Sequence, residues 1–322
     1  MTADPALLAM MTSVFTDRPR TPGRLDRSLW DTLASLGLTR LTTPVRHGGS
    51  GAGWPEAAAL LRTAAAHGVA APLAENDLLA GWLLAQADLP GDDEPRTACI
   101  LDRNGAARAV PWAREAAGVV ALWWTADGWR AGDLPASSLT LTPGTNLGGE
   151  PRDDLRADLS GVRGTPVLPD VAEEFLLRGG LARALQMTGA MDGILDLCLD
   201  HVRTRTQFGR PLARFQAVQS LIADLAAEAA LARAAATACT RGTPGPFGIA
   251  VARSCAGHAA TVAVRNAHQI HGAIGTTAEH ALHTLTLPLL AWRTEYGTPH
   301  DWDDHLTTTA TTAPLWPTLT GD

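Results

Sequence analysis

Two short segments of the 322-residue chain combine side chains that can bind an anion with glycines that let a backbone approach a ligand. They are Arg205-Thr-Gln-Phe-Gly209 and Gln269-Ile-His-Gly-Ala-Ile-Gly275. A guanidinium can form two parallel charge-assisted hydrogen bonds to a phosphate, and glycine has no Cβ to hold a ligand away. The first segment is also an interhelical turn that ends at Gly209. A turn does not need Arg, Gln and Phe at fixed offsets, so these residues are candidates for binding a ligand, and Arg205 is suited to a phosphate.

Other reactive side chains give weaker signals. His271, His280 and His283 lack a partner carboxylate at fixed spacing, so we predict no metal site. The four cysteines show no paired spacing and are expected to be reduced thiols. All 26 basic residues are arginine, and the absence of lysine excludes a Schiff-base lysine and a Walker lysine.

Composition also limits the partners. A net charge of −7 argues against nucleic acid as the main partner. We found no apolar run of the roughly 18 to 20 residues that a membrane span needs. The N-terminus lacks the basic flank and apolar stretch of a signal peptide. We therefore expect a cytoplasmic protein with no membrane partner.

The elements that position these segments follow from the hydrophobic pattern, which predicts a mostly α protein with a small β domain. We divide the chain into an N-terminal helical domain (1–95), a middle β domain (96–168) and a C-terminal four-helix bundle with a tail (169–322). Helical spacing is clear in Ser28–Leu36, Glu56–Ala66 and Leu78–Ala87. Short strands are predicted at Thr97–Leu101, Gly118–Trp124, Gly128–Ala131 and Leu139–Leu141.

The bundle should place both ligand-binding segments at helix ends. Its helices are predicted at Leu181–Thr204, Phe215–Thr240, Phe247–His271 and about Thr276–Trp292. Thr276 and Thr277 could cap the last of these. The tail from Thr307 is rich in Thr and Pro and is expected to be irregular.

This order of domains, together with the two segments, resembles the acyl-CoA dehydrogenase family. The resemblance implies FAD as cofactor, with Arg205 and Gln207 at its pyrophosphate and Phe208 near its adenine. It also implies that the Gln269–Gly275 segment lies along the FAD of a neighbouring subunit. The implied cofactor-binding set is Arg205, Gln207, Phe208, Gln216, Gln269, His271, Gly272, Gly275 and Thr298. The protein is therefore expected to act in an oligomer.

The reaction implied by the resemblance is α,β-desaturation of an acyl-CoA or other acyl thioester. A carboxylate removes the α-proton while hydride passes to FAD. In many family members this base is a Glu directly before Gly-Thr, but here Tyr296 precedes Gly297-Thr298. Glu295 lies one residue earlier, about 100° away on a helix or turn. Arg178 and Arg183 could meet CoA phosphates.

Three interpretations follow from the displaced carboxylate. The base could come from a homologous partner chain, as the two-gene complexes of sterol side-chain breakdown suggest. Glu295 or another group could be the base, or Tyr296 a proton donor in a different reaction. The fold could also be a binding or assembly subunit, or a repurposed biosynthetic member. The catalytic candidates are therefore Glu295 and Tyr296, within a homo-oligomer or hetero-oligomer.

Overall fold

The computed structural model describes residues 4–16, 18 and 23–312, in which helices at both ends flank a small β region. The predicted class, mostly α with a small β domain, is confirmed. Aspartates cap the first two helices, because Asp4 accepts a hydrogen bond from the Ala6 amide and Asp26 accepts one from the Leu29 amide. The N-terminal α-helices are α1 (Pro5–Phe15), α2 (Arg27–Ser35), α3 (Trp54–Ala66) and α4 (Trp82–Gln86).

A π-helical segment, Ala74–Gly81, leads into α4 and carries three consecutive buried polar residues, Glu75, Asn76 and Asp77. Asn76 donates to a loop carbonyl at 2.7 Å, and Asp77 accepts from two loop amides at 2.8 and 3.1 Å. Glu75 pairs with an arginine of the bundle. Segments of π-helix are rare in proteins, and many of those that occur lie at functional sites. Periodicity predicted only an ordinary helix over Leu78–Ala87.

The β region contains more strands than the sequence predicted. They are β1 (Arg96–Ile100), β2 (Ala106–Pro111), β3 (Gly118–Thr125), β4 (Gly128–Pro135), β5 (Leu139–Thr142), β6 (Arg152–Ala157) and β7 (Thr165–Pro166). One sheet has the order β1-β3-β4-β7, with β1 parallel to β3, and the other is antiparallel with the order β2-β6-β5. We did not predict β6 because its sequence is mostly charged, although Arg152 and Asp153 are buried.

In the described part of the chain, five α-helices follow the β region. They are α5 (Val171–Thr204), α6 (Gln216–Cys239), α7 (Pro246–His271), α8 (His283–Trp292) and α9 (Pro299–Thr312). A two-residue hairpin, β8 (Thr206–Gln207) with β9 (Arg210–Pro211), joins α5 to α6. The long helices α5 to α7 end close to where helical spacing and the Gly-Pro break predicted.

Two predictions about the last third of the chain were wrong. The helix expected from Thr276 begins at His283, because Gly272–Thr276 forms a 3-10 turn and Thr276 and Thr277 do not cap it. The tail is not irregular over residues 307–312, since α9 continues to Thr312. Residues 313–322 lie outside the described part of the chain.

One apolar core joins the N-terminal helices to the bundle. Leu61 of α3, Met187 of α5 and Ala260 of α7 all belong to it. Glycines let α3 and α5 pack closely, since a Cβ at Gly189 would stand 2.2 Å from the Arg62 carbonyl oxygen. A second core joins α4 and α5 to the sheet of β1, and a third lies between the two sheets. The division into 1–95, 96–168 and 169–322 stays a prediction.

One helical stretch of the described residues, Pro246–Thr276, is long and apolar enough to cross a membrane. Half of its most apolar window is buried inside the protein, where α7 packs against α5 and α6. Core helices of soluble proteins meet the same criterion, so this is weak evidence for a membrane span.

Candidate functional site

A cavity of about 680 Å³ lies between the β region and the bundle. β1 and β2 line one side of it, and the start of α5 and the end of α8 line the other. Glu295 and Tyr296 follow α8 and face this cavity, and Glu295 is the sole carboxylate among the described residues that line it. The structure therefore brings both predicted catalytic residues to one cavity.

The carboxylate of Glu295 is bound by side chains from three elements. Arg152 on β6 donates through Nε to Oε1 at 2.8 Å and through Nη2 to Oε2 at 3.0 Å. Arg183 on α5 donates through Nε to Oε2 at 2.7 Å. Asn146, in the loop before β6, donates to Oε1 at 3.2 Å. Both carboxylate oxygens therefore accept charge-assisted hydrogen bonds.

The same arginines bind two more buried glutamates. Arg183 pairs with Glu75 of the π-helical segment, and Arg152 pairs with Glu150 at 3.1 Å. Trp292 Nε1 also donates to Glu150 at 2.9 Å. We call this set the Glu295 network; its members are Glu75, Asn146, Glu150, Arg152, Arg183 and Glu295. Each of its three carboxylates therefore contacts at least one of its two guanidinium groups.

The network determines the charge of Glu295. Burial alone would raise the pKa of this carboxyl, but Arg183 and Arg152, with the Asn146 hydrogen bond, lower the pKa to about 2. Glu295 is therefore ionised at neutral pH. A carboxylate held in this way is also a weak proton acceptor, because basicity falls with pKa.

Tyr296 adopts a left-handed backbone conformation with a φ of 56°. Its ring packs on α5, where a Cβ at Gly179 would stand 2.4 Å from the ring, and meets Phe175 edge to face. The Arg183 guanidinium lies 5.6 Å from the ring centroid. Burial raises the pKa of Tyr296, so the phenol stays protonated at neutral pH and keeps a proton to donate.

Arg253 on α7 holds the turn that carries both candidate residues. Its guanidinium donates to the carbonyl groups of Trp292, Arg293, Glu295 and Gly297 at 2.8 to 3.3 Å. These are carbonyls of the end of α8 and the following turn, which have no partner within a helix. Burial lowers the pKa of Arg253 to about 10, so it remains a cation at neutral pH.

The segment Arg205–Gly209 is exposed to solvent, in contrast to the buried Glu295 network. We call Arg205, Gln207, Phe208, Gln216 and Gln269 the Arg205 corner. All five are exposed, and Phe208 is 90% exposed with a φ of 50°. Within residues 4–16, 18 and 23–312, none of the four polar side chains has a hydrogen bond or ion pair. The corner therefore offers free donors to a ligand or a partner.

The second segment turns sharply at the end of α7. Gly272 has a φ of 64° and open space where a Cβ would stand. Gly275 is buried against His271. The His271 side chain faces inward, with its ring centroid 4.5 Å from that of His201 on α5. The ends of α5 and α7 therefore meet, and both segments start from neighbouring helix ends.

Thr298 lies apart from the corner. Its hydroxyl donates to the Asp301 carboxylate at 2.7 Å, and Asp301 also accepts from the Thr298 amide at 2.8 Å. These bonds cap the start of α9. A cofactor contact by Thr298 stays a prediction.

Sequence reasoning missed most of the Glu295 network. Arg183 was considered for a CoA phosphate, but its side chain is 2% exposed and binds Glu75 and Glu295, so that interpretation was wrong. Arg178 is half-buried and stacks on Trp54 and Trp82. The available signal was three polar residues, Asn146, Glu150 and Arg152, in a short Gly-containing segment that leads into β6. Its partners lie far along the chain and could not be deduced from spacing.

Comparisons with known proteins identify relatives of this chain. Residues 170–299 match the family model described as acyl-CoA dehydrogenase, C-terminal domain. The chain is 30% identical over 272 residues to acyl-CoA dehydrogenase IpdE2 of Mycobacterium tuberculosis, covering 80% of this chain and 79% of the relative. It is 32% identical over 155 residues to 3-sulfinopropanoyl-CoA desulfinase of Paraburkholderia xenovorans, covering 44% of this chain and 40% of that protein.

The fold is also found among solved structures. The ChsE4-ChsE5 complex from Mycobacterium tuberculosis contains a chain that matches with a TM-score of 0.86. The match covers 96% of this chain and 97% of that chain at 20% identity, which establishes a common fold.

Proposed function

Since the chain belongs to the acyl-CoA dehydrogenase family, we propose that it binds FAD and oxidises an acyl thioester as part of an oligomer. Its relatives named as acyl-CoA dehydrogenases put it in the oxidoreductase class. The observation that carries the proposal is the cavity that joins β1 and β2 to Glu295 and Tyr296.

The residues of the Arg205 corner suit an anionic dinucleotide. Arg205 is an exposed guanidinium without a partner in the described part of the chain, and three exposed amides accompany it. Such a guanidinium can bind a pyrophosphate through two parallel hydrogen bonds. Gly272 leaves free space where any other residue would carry a Cβ. Arg205 and Gln207 would bind the pyrophosphate, Phe208 would pack near the adenine, and Gln216 would also contact the cofactor. The Gln269–Gly275 segment would lie along the FAD of a neighbouring subunit.

The cavity suits an acyl chain that ends beside polar groups. Cys99, Val110, Phe175 and Leu176 give it an apolar lining. When bound, FAD supplies the acceptor for the hydride that leaves the substrate. The Tyr296 phenol stays protonated and can donate a hydrogen bond or a proton to the thioester carbonyl.

Glu295 is the candidate base because no other carboxylate among the described residues lines the cavity. In its present contacts it is a poor base, since Arg152 and Arg183 stabilise its ionised form. It becomes a stronger base only if substrate binding loosens one of these ion pairs. Loss of a positioned general base costs about 10²–10⁴-fold in rate.

An oligomer of identical or homologous chains is part of the proposal. Phe208 is 90% exposed, so a neighbouring chain or a bound cofactor could contact its ring. The related solved structure is a complex of two different proteins, ChsE4 and ChsE5. We also propose that the protein acts in the cytoplasm and has neither a membrane nor a nucleic acid as a partner.

The second candidate function is that of a non-catalytic subunit, which binds FAD or a homologous chain but does not itself desaturate the acyl thioester. The specific observation is the saturation of Glu295 by two arginines, which leaves the cavity without a free base. A partner chain would then supply the base. One relative is named a desulfinase, so a different reaction on an acyl-CoA belongs with this candidate.

Purification followed by anaerobic titration tests the proposal. We expect yellow protein with the absorption of bound FAD, which an acyl-CoA bleaches in the absence of oxygen. Glu295→Gln should slow bleaching at least about a hundredfold if Glu295 is the base, and Tyr296→Phe should slow it less. Bleaching that is unchanged in Glu295→Gln excludes Glu295.

Two other outcomes distinguish the candidates. Protein that takes up FAD only together with a homologous chain supports the partner subunit. Colourless protein that takes up no FAD, alone or with a homologous chain, rejects both candidates.

A further inference from the structure

Three histidines that are distant in sequence meet where the ends of α5 and α7 lie beside the turn before α8. His201, His271 and His280 each offer a ring nitrogen, and these nitrogens lie within 4.8 Å of one another. The ring centroids of His271 and His201 are 4.5 Å apart, and those of His271 and His280 are 4.6 Å apart. The sequence argument against a metal considered His283, but the fold brings His201 to the cluster instead.

His271 shows why this cluster is more than close packing. The residue is 5% exposed, and its Nδ1 donates to the Ala267 carbonyl at 2.8 Å. The proton is therefore on Nδ1, and Nε2 carries a lone pair. Among the described residues, Nε2 has no hydrogen-bond partner although it is buried. Buried polar atoms are rarely left unsatisfied, and an exception calls for an explanation such as a bound ion.

The surroundings favour a cation. His201 lies in the last turn of α5 and His271 in the last turn of α7. The C-terminal ends of helices carry partial negative charge, and here two such ends converge. Each of the three side chains offers a ring nitrogen to the same small space. Imidazole nitrogen is the commonest metal ligand among side chains.

We propose that His201, His271 and His280 bind one divalent transition-metal ion of the Zn²⁺ class through their ring nitrogens. Imidazole suits zinc and its neighbours, and water would take the fourth position of a tetrahedron. The ion would tie the ends of α5 and α7 to the turn before α8. It would therefore brace the Gln269–Gly275 segment independently of any chemistry in the cavity.

The geometry requires modest movements. Zn–N bonds of about 2.0–2.1 Å place tetrahedral nitrogens roughly 3.4 Å apart, so the widest pair must close by about 1.4 Å. His280 Nδ1 accepts a hydrogen bond from the Leu282 amide at 3.0 Å. Binding through Nε2 moves the His280 proton to Nδ1 and breaks that bond. Cys198 Sγ lies 4.0 Å from His271 Nδ1, on the far side of the ring from Nε2, so it is not a ligand.

Metal titration of untagged, chelator-treated full-length protein tests the site. Co²⁺ should bind at one ion per chain and give the visible absorption of a tetrahedral site, and Zn²⁺ should displace it. His271→Gln and His280→Gln should each weaken Zn²⁺ binding at least roughly tenfold, which is the lower end of the effect of even indirect partners of a metal ligand. Zn²⁺ should raise the unfolding temperature of the wild type and not of these variants.

His258→Gln is the matched control. His258 lies on α7, as His271 does, but it is exposed and pairs with Asp303. It should bind Zn²⁺ as the wild type does. If His271→Gln does not fold, His280→Gln and His201→Gln serve the same purpose at less buried positions. Less than one Zn²⁺ per two chains at saturation, or wild-type affinity in His280→Gln, overturns the proposal.

Discussion

The Glu295 network and the Arg205 corner use the same side-chain chemistry in opposite ways. In the network, Arg152 and Arg183 are buried and each binds two glutamates of the same chain. At the corner, Arg205 is exposed and has no partner within the described residues. An arginine that is satisfied internally contributes to the stability of the fold, whereas an arginine held free is available to a ligand. Mutations in the two regions should therefore separate stability from binding.

The largest effect is expected from Arg183→Met. It leaves the carboxylates of Glu75 and Glu295 with fewer compensating charges in a buried site, and breaking such a pair costs about 3–5 kcal/mol. Urea denaturation measures the loss. Arg203→Met is the control, because Arg203 is exposed and its contact with Asp200 is 3.9 Å long; it should change stability by less than about 0.5 kcal/mol. If Arg183→Met and Arg203→Met lose equal amounts of unfolding free energy, burial of the arginine does not determine its contribution to stability, and the comparison fails.

The second prediction concerns how the stability of the fold changes at acidic pH. The pKa of Glu295 in the folded protein is about 2, below the ordinary value of 4.5, so its ionised form stabilises the fold above about pH 4.5. This contribution disappears as the pH falls from 4.5 towards 2. It amounts to about 3 kcal/mol, by the usual conversion of a pKa shift into free energy.

The measurement is the difference in unfolding free energy between the wild type and Glu295→Gln at several pH values. The difference should be largest at pH 7 and shrink as the pH approaches 2. Glu173→Gln, at an exposed position of α5, should give a curve parallel to that of the wild type. A wild-type advantage over Glu295→Gln that does not change with pH would mean that the arginines do not hold Glu295 ionised.

A third, smaller effect tests the packing beside the network. Gly179→Ala places a Cβ 2.4 Å from the Tyr296 ring, and such overpacking costs about 1–3 kcal/mol. Gly161→Ala is the matched control, since nothing lies within 4 Å of a Cβ there and its backbone is not left-handed. The control should be neutral or slightly stabilising. If Gly179→Ala is equally neutral, the ring of Tyr296 is not fixed against α5.

The sequence was a better guide to the corner than to the network. Helical spacing and the Gly-Pro break located α5, α6 and the turn between them, and local motifs singled out Arg205, Gln207 and Gln269. Local signals of this kind depend on residues a few positions apart. They were therefore sufficient for the mostly α fold and for the exposed segments.

The network could not be found in the same way. Glu75 comes from a π-helical segment and Arg183 from a bundle helix. Arg152 belongs to a strand that begins with three charged residues. Their meeting depends on how three elements pack, which no periodicity encodes. The histidine cluster has the same cause, since His201 joins His271 and His280 only when two helix ends meet. The error at Thr276 came from taking a 3-10 turn for the start of a helix.

The smallest effect on stability, and the most decisive for the comparison, is expected from Arg205→Gln. An exposed side chain without a partner in the described structure should change the unfolding free energy by less than about 0.5 kcal/mol. FAD binding should weaken by about tenfold or more, because a hydrogen bond to a charged group contributes about 1.5–3 kcal/mol. Arg203→Gln removes the same charge from the same helix end and should bind FAD as the wild type does. A loss of stability in Arg205→Gln would show that the corner is already satisfied within the chain, and unchanged FAD affinity would place the cofactor elsewhere. Neither result would alter the expectations for Arg183 and Glu295, because the two regions share no hydrogen bond.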